Sequence, residues 1–266
     1  MPARPDRRFA RLACALALAA TLPAHAGQAC REEPLSVDEV RRSLSLAQRA
    51  YAALEESGAT VALVARAGQD LSKYGIEYSH MGIVVRDHAA GRWTVVHELN
   101  ACGTASSDLY VDGVGNFFLT DLYRYRAQVV IPSPDVQARV AQLLVGRTAR
   151  RLHDPHYNML AYVYSTRYQN SNQWVLETLA AASAPPRAVE TRAEAQSWLQ
   201  GQGYRVRTVQ IPAVTRLGAR MFRANVAFDD HPFDRRMAGQ IDTVTTDAIV
   251  DFVRGQDPRA RVFVVE

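Results

Sequence analysis

The segment Glu77-Tyr78-Ser79-His80-Met81-Gly82-Ile83-Val84-Val85 constrains the fold more than any other stretch. Apolar and β-branched residues dominate it, and Lys73-Tyr74-Gly75 before it has turn character, so it reads as a buried strand. Burying an imidazole is costly unless both ring nitrogens find partners, and its pKa lies near working pH. Strand alternation puts Gly82 on the same face as His80, which predicts open space beside the ring. A second run, Trp93-Thr94-Val95-Val96-His97-Glu98, predicts a neighbouring strand that again ends in polar, titratable groups. His80 is therefore either a catalytic base or a core histidine with satisfied nitrogens.

The N-terminus reads as a secretory signal peptide over residues 1–26. Arg4, Arg7, Arg8 and Arg11 precede a short apolar run, Leu12 to Leu22, and Ala24-His25-Ala26 is a small-x-small cleavage site. The apolar run is too short to span a bilayer, and no later stretch is long and apolar enough to do so. Residues 27–266 are expected to form one exported domain. The leader carries four arginines against one aspartate, so of the formal charge of +4 little remains after cleavage, and nucleic acid is not an expected partner. Lys73 is the only lysine, a bias that with export suggests a Gram-negative periplasm. Cys30 and Cys102 remain after cleavage. In an oxidising compartment they are expected to pair, closing a loop of about 70 residues worth roughly 4 kcal/mol on the chain-entropy account. The alternative is that Cys102 is a nucleophile.

Ser36-Val37-Asp38-Glu39 is a capping box and predicts a helix to about Ser57. Strands are expected at 61–66, 78–86, 92–98, 126–131, 204–211 and 262–265, and helices at 135–145, 172–182 and 192–200. A long irregular loop is expected through Cys102, Gly103, Gly113 and Gly115. Helices and mainly antiparallel strands in separate runs give an α+β class, one domain with helices packed on the sheet.

The second chemical segment is Gln169-Asn170-Ser171-Asn172-Gln173-Trp174-Val175-Leu176-Glu177. Polar residues lead straight into an apolar-periodic helix, with Ser171 or Asn172 expected at the N-cap. A nucleophile at a helix start gains stabilisation of its anion, and N–H groups near Asn172 and Gln173 are expected to bind an oxyanion. The plain alternative is an ordinary cap.

A strand-borne imidazole followed by a helix-start nucleophile resembles the circularly permuted papain-like fold of NlpC-type cell-wall peptidases and the lecithin retinol acyltransferases. There a histidine in an SH-x-G-I-V strand precedes the nucleophile, a polar residue on the next strand orients it, and a cysteine opens a helix. The resemblance implies that His80 is the base, that His97 or Glu98 is the orienting group, and that Ser171 stands where the cysteine would be. At closer range, YSHMGIVV, GVGNFFLTD, YNMLAY, RYQNSNQWVLE and TRLGARMFRANVAFDDHP resemble an uncharacterised family of exported bacterial proteins, the domain-of-unknown-function family numbered 2145. That resemblance implies a fold and export, and no activity.

The expected function is hydrolysis or acyl transfer at an amide or ester of a cell-envelope peptide, glycan or lipid, without a cofactor. One alternative is a binding module that uses the same cleft without turnover. Another is a metal-dependent hydrolase drawing on Asp229-Asp230-His231 and His153-Asp154-x-His156. Oligomeric state is not legible.

Overall fold

The computed structural model describes residues 34–120 and 122–266. The expected signal peptide and Cys30 lie outside the described residues.

Helix α1 (Val37–Ser57) starts where the capping box predicts. Ser36 N–H donates to Glu39 and Glu39 N–H donates back to Ser36 Oγ, and Gly58 closes the helix at φ 70°. Six strands then build one sheet: β1 (Val61–Ala67), β2 (His80–His88), β3 (Gly91–Asn100), β4 (Ser107–Gly113), β5 (Arg124–Ile131) and β8 (Arg261–Val265). Their order is β4-β3-β2-β1-β5-β8, and every adjacent pair is antiparallel. A second, two-stranded sheet joins β6 (Arg207–Gln210) to β7 (Gln240–Thr243). The chain is a single α+β domain, as its separate runs of helices and mainly antiparallel strands predict.

Both faces of the large sheet are covered, which explains why its central strands are nearly continuous apolar runs. On one face α1 and the short α2 (Val114–Phe118) pack Leu46, Leu54 and Phe117 against Val64, Val84 and Val95. On the other lie α3 (Pro134–Val145), the short α4 (Thr148–Arg151), α5 (Ser171–Ser183), α6 (Arg192–Gly201) and α9 (Thr246–Gln256), whose Trp174, Leu176, Leu199 and Ile249 meet Leu63, Met81 and Ile83. Trp174, Leu63 and Ile83 have no exposed surface. Burial of each such side chain is worth about 1.5–3 kcal/mol. A third cluster, with Val209, Phe228 and Ile241, sits under the small sheet.

The expected loop through Gly113 is instead largely ordered: β4 pairs along β3, and α2 follows at once. Residues 152–170, which carry no clear periodicity, are irregular apart from isolated bridges. Arg192 holds this segment. Its guanidinium reaches Glu177, Asp154 and the carbonyls of Ser165, Thr166 and Tyr168. Gln169 and Gln196 also donate to Glu177, so this buried carboxylate has a donor on every side. The network ties the chain before α5 to the helix itself and fixes where α5 begins.

Candidate active site

The pleat decides which side chains meet. Arg66 lies opposite His80 in the β1–β2 register, Val84 opposite Val95 in β2–β3, and Asp112 opposite Val95 in β3–β4. Opposite residues and residues two apart share a face. Arg66, His80, Gly82, His97 and Asp112 therefore belong to the face that α1 and α2 cover. Gly82 is where this face is tightest. A Cβ there would stand 2.6 Å from Val95 Cγ1, 3.1 Å from His97 Cβ and 3.4 Å from the Phe117 ring. The space expected to be open beside His80 is thus filled. Glycine is needed so that β2 and the His97 side chain can approach.

Helix α5 supplies the other half. Its N-cap is Asn170, not Ser171 or Asn172: the Asn170 side chain accepts from Gln173 N–H at 2.8 Å and donates to Thr243 at 2.9 Å. That second bond settles which of three good capping residues takes the role. Ser171 is the first helical residue. Asn172 clamps the helix to β2, accepting from Met81 N–H at 3.0 Å and donating to the Ser79 carbonyl at 3.3 Å. It thereby grips the backbone on both sides of His80. Gln173 is fully buried, its N–H is taken by Asn170, and its side chain donates to the Val163 carbonyl. It is not an oxyanion donor. The N–H groups of Ser171 and Asn172 have no acceptor among the described residues, as expected for a first helical turn.

The two halves meet at His80. Ser171 Oγ lies 3.1 Å from His80 Nδ1, His80 Nε2 lies 2.8 Å from His97 Nδ1, and His97 Nε2 lies 2.9 Å from Asp112 Oδ2. Asn116, from α2, donates to the other Asp112 oxygen at 2.9 Å. Burial, then the positive charge of Arg66 and the neighbouring His97, hold the His80 pKa well below its usual 6.5. Burial pushes His97 down to about 4 despite the opposing hydrogen bond to Asp112. Burial alone would raise Asp112, but hydrogen bonds from His97 and Asn116 outweigh it and keep the carboxyl ionised. Two neutral imidazoles ending on a carboxylate leave one proton arrangement. His97 Nε2–H donates to Asp112, His80 Nε2–H donates to His97 Nδ1, and Ser171 O–H donates to His80 Nδ1. All three bonds run in one direction, away from the serine.

Phe117 is the apolar floor of this chain, its ring centroid 5.8 Å from that of His80 and 5.3 Å from that of His97. The Arg66 guanidinium stacks on the same ring at 4.7 Å and donates to the Phe117 carbonyl. The buried Tyr157 phenol lies against Ser171, and burial keeps it protonated far above its ordinary range. His80, Ser171 and Tyr157 line a cleft of about 680 Å³. Leu71, Tyr74, Ile76, Met159 and Leu160 wall it, together with Thr215 and Ala219 of helix α7 (Ala213–Phe222). A second hollow, about 540 Å³, lies between the segment 202–207 that follows α6 and helix α9, and no Ser, Thr, Cys or His lines it.

Of the two expected orienting groups, His97 is in the chain and Glu98 is not. Alternation turns Glu98 to the opposite face, below α5. There it is fully buried, and neither oxygen has a partner of ordinary hydrogen-bond geometry among the described residues, although the Ser107 side chain acts on it. Burial pushes its pKa up to about 8. Cys102 sits on the exposed turn after β3, where it is engaged in an interaction, and both His80 nitrogens are occupied by other residues. The expected metal-ligand clusters do not assemble. His231 pairs with Asp230, His156 with Asp154, His153 with Ser107 and Asp229 with Arg167, and among the described residues no group of three or more His, Cys, Asp or Glu side chains is arranged to hold a metal ion. Asp112, Arg66 and Tyr157 are site residues that sequence reasoning did not single out, whereas Asn116 and Phe117 belong to an aromatic-rich run, Gly115 to Leu119, legible in the sequence as one that either lines a groove or covers the core.

The family described as "Uncharacterized protein conserved in bacteria (DUF2145)" matches residues 53–253, and the chain belongs to it. No curated protein and no solved structure matches the chain.

Proposed function

We propose that this DUF2145 member is a serine hydrolase or acyltransferase acting on an amide or ester of the cell envelope. The observation that carries this reading is the chain Ser171–His80–His97–Asp112, with its single donor direction, opening into a cleft at a helix N-terminus. Ser171 Oγ would attack the substrate carbonyl carbon while its proton passes to His80 Nδ1. The new imidazolium strengthens its bond to His97, and the charge is balanced two links away at Asp112. The tetrahedral oxygen would be met by the N–H groups of Ser171 and Asn172. His80 would then return the proton to the departing amine or alcohol, leaving an acyl-serine. Water or another acceptor attacks that ester and gives its proton to His80, which passes it to Ser171 Oγ as the acyl–oxygen bond breaks and the product leaves.

The order of a histidine strand followed by a nucleophile helix supports a permuted papain-like arrangement in which serine replaces cysteine. We place the protein in the periplasm of a Gram-negative bacterium, with residues 1–26 as its leader and a Cys30–Cys102 disulfide. The experiment is hydrolysis of short p-nitrophenyl esters by residues 27–266. Turnover that disappears in Ser171→Ala and His80→Ala supports the reading, and parent turnover no faster than these variants overturns it.

A second reading is a cleft that binds an envelope peptide or glycan without turnover. It is favoured by the low basicity that burial and Arg66 impose on His80. Saturable binding of envelope fragments that Ser171→Ala leaves intact, with no turnover by the parent, would select it.

A further inference from the structure

Helix α7 has two unlike faces. Thr215, Ala219 and Arg223, just past its end, line the cleft that holds Ser171. On the opposite side Val214, Leu217 and Met221, spaced at i, i+3 and i+7, are 84%, 62% and 56% exposed. An apolar ridge of this kind on a helix costs solvation unless something covers it.

Charge says what covers it. The helix contains no acidic residue, and its ionisable groups are Arg216 and Arg220, with Arg223 next in sequence. Among the described residues none of the three pairs with a carboxylate. The neighbouring helix α8 (Phe233–Met237) adds Phe233 and Met237, 69% and 62% exposed, with Arg236 beside the Phe233 ring. The backbone bond from Ile211 N–H to Gly239 O holds the start of α7 beside the end of α8. Exposed apolar side chains flanked by arginines that have no carboxylate partner among the described residues match a surface that is apolar at depth and anionic at its rim. That is a bilayer of acidic phospholipid.

We infer that α7, with α8, seats the protein on an anionic membrane surface and brings the mouth of the Ser171 cleft to the lipid interface. The inference deepens the hydrolase reading: the substrate would be an ester or amide of a lipid or lipid-linked molecule presented at that interface. Seating itself needs no turnover. The Ser171→Ala variant is therefore expected to bind membranes like the parent, which separates failure of this proposal from failure of the catalytic one.

The test is flotation of residues 27–266 with vesicles of phosphatidylcholine alone or of phosphatidylcholine mixed with phosphatidylglycerol. Binding is expected to be at least about fivefold greater on the mixed vesicles and to fall as salt is raised. The exposed double variant Leu217→Glu/Met221→Glu is expected to lose about tenfold or more in binding while keeping the parent melting temperature. Equal binding to both vesicle types, or full binding by the melted-normally double variant, overturns the proposal. A dimer of the parent that the double variant dissolves, with no vesicle binding, also overturns it and assigns the ridge to a second copy of the chain.

Discussion

His80 gives its second ring nitrogen to His97: Nε2 of one ring lies 2.8 Å from Nδ1 of the other. The pair is buried, both rings are kept neutral, and only one proton can sit between them. The tautomer of His80 is therefore set by His97 and, through it, by Asp112.

Removing the acceptor should expose this dependence. His97→Ala leaves His80 Nε2–H with no partner and frees the ring to turn. Ester turnover is expected to fall by about 10²–10³, in the range for a misplaced general base. His97→Gln, whose amide oxygen can accept from His80, is expected to restore part of the loss. Equal rates for the two variants would make His97 a packing residue only.

Asp112→Asn tests the far end of the chain. Asn116 already donates to one Asp112 oxygen, so an amide at 112 would keep its oxygen there and turn its NH₂ toward His97. His97 would then have to carry its proton on Nδ1, and His80 in turn on its own Nδ1, facing Ser171. The base is lost without any change of shape. Turnover is expected to fall by about 10³–10⁴ with the melting temperature little altered, as for other carboxylates that hold a histidine tautomer. Ring ¹⁵N shifts of His80 should report the switch, and unchanged shifts would refute it.

Gly82→Ala should strain the sheet where β2 meets His97. The added carbon meets Val95 Cγ1 at 2.6 Å, closer than real contacts allow, with His97 Cβ next at 3.1 Å. Overpacking of this kind costs about 1–3 kcal/mol. Both the melting temperature and ester turnover are expected to drop, because His97 is one of the atoms that must give way. A variant with parent stability and parent turnover would show that the approach is not tight.

Glu98 gives a pH signature of opposite sign to an ordinary surface carboxylate. Its folded pKa is raised by burial from 4.5 to about 8. Between these values the folded chain keeps a proton that the unfolded chain has released, so this group makes stability fall as pH rises through the window. Glu98→Gln is expected to remove that loss, so its melting temperature should gain on the parent steadily from pH 5 to pH 8. A constant difference across the range would mean that Glu98 titrates normally.

Much of the site was legible because it sits on strong local patterns. An imidazole in a β-branched run marks His80, and a polar cluster before an apolar-periodic helix marks Ser171. Asp112 was hidden because β4 is an edge strand. Its Tyr110 and Val111 are exposed, and Asp112-Gly113 carries the residues of a turn, so nothing local says strand. Only pairing with β3 brings it beside His97. The choice between His97 and Glu98 turned on which face of β3 points to His80, a register that lies in β2 and not in β3. The capping residue was ambiguous because Asn170, Ser171 and Asn172 all cap well, and Thr243, distant in sequence, decides among them.

The most direct test is covalent labelling of residues 27–266 with a fluorophosphonate, followed by peptide mass spectrometry. A single adduct on Ser171, absent in His80→Ala and slowed in His97→Ala and Asp112→Asn, is the predicted result. No adduct on the folded parent, or an adduct on another serine that His80→Ala leaves unchanged, would contradict the account.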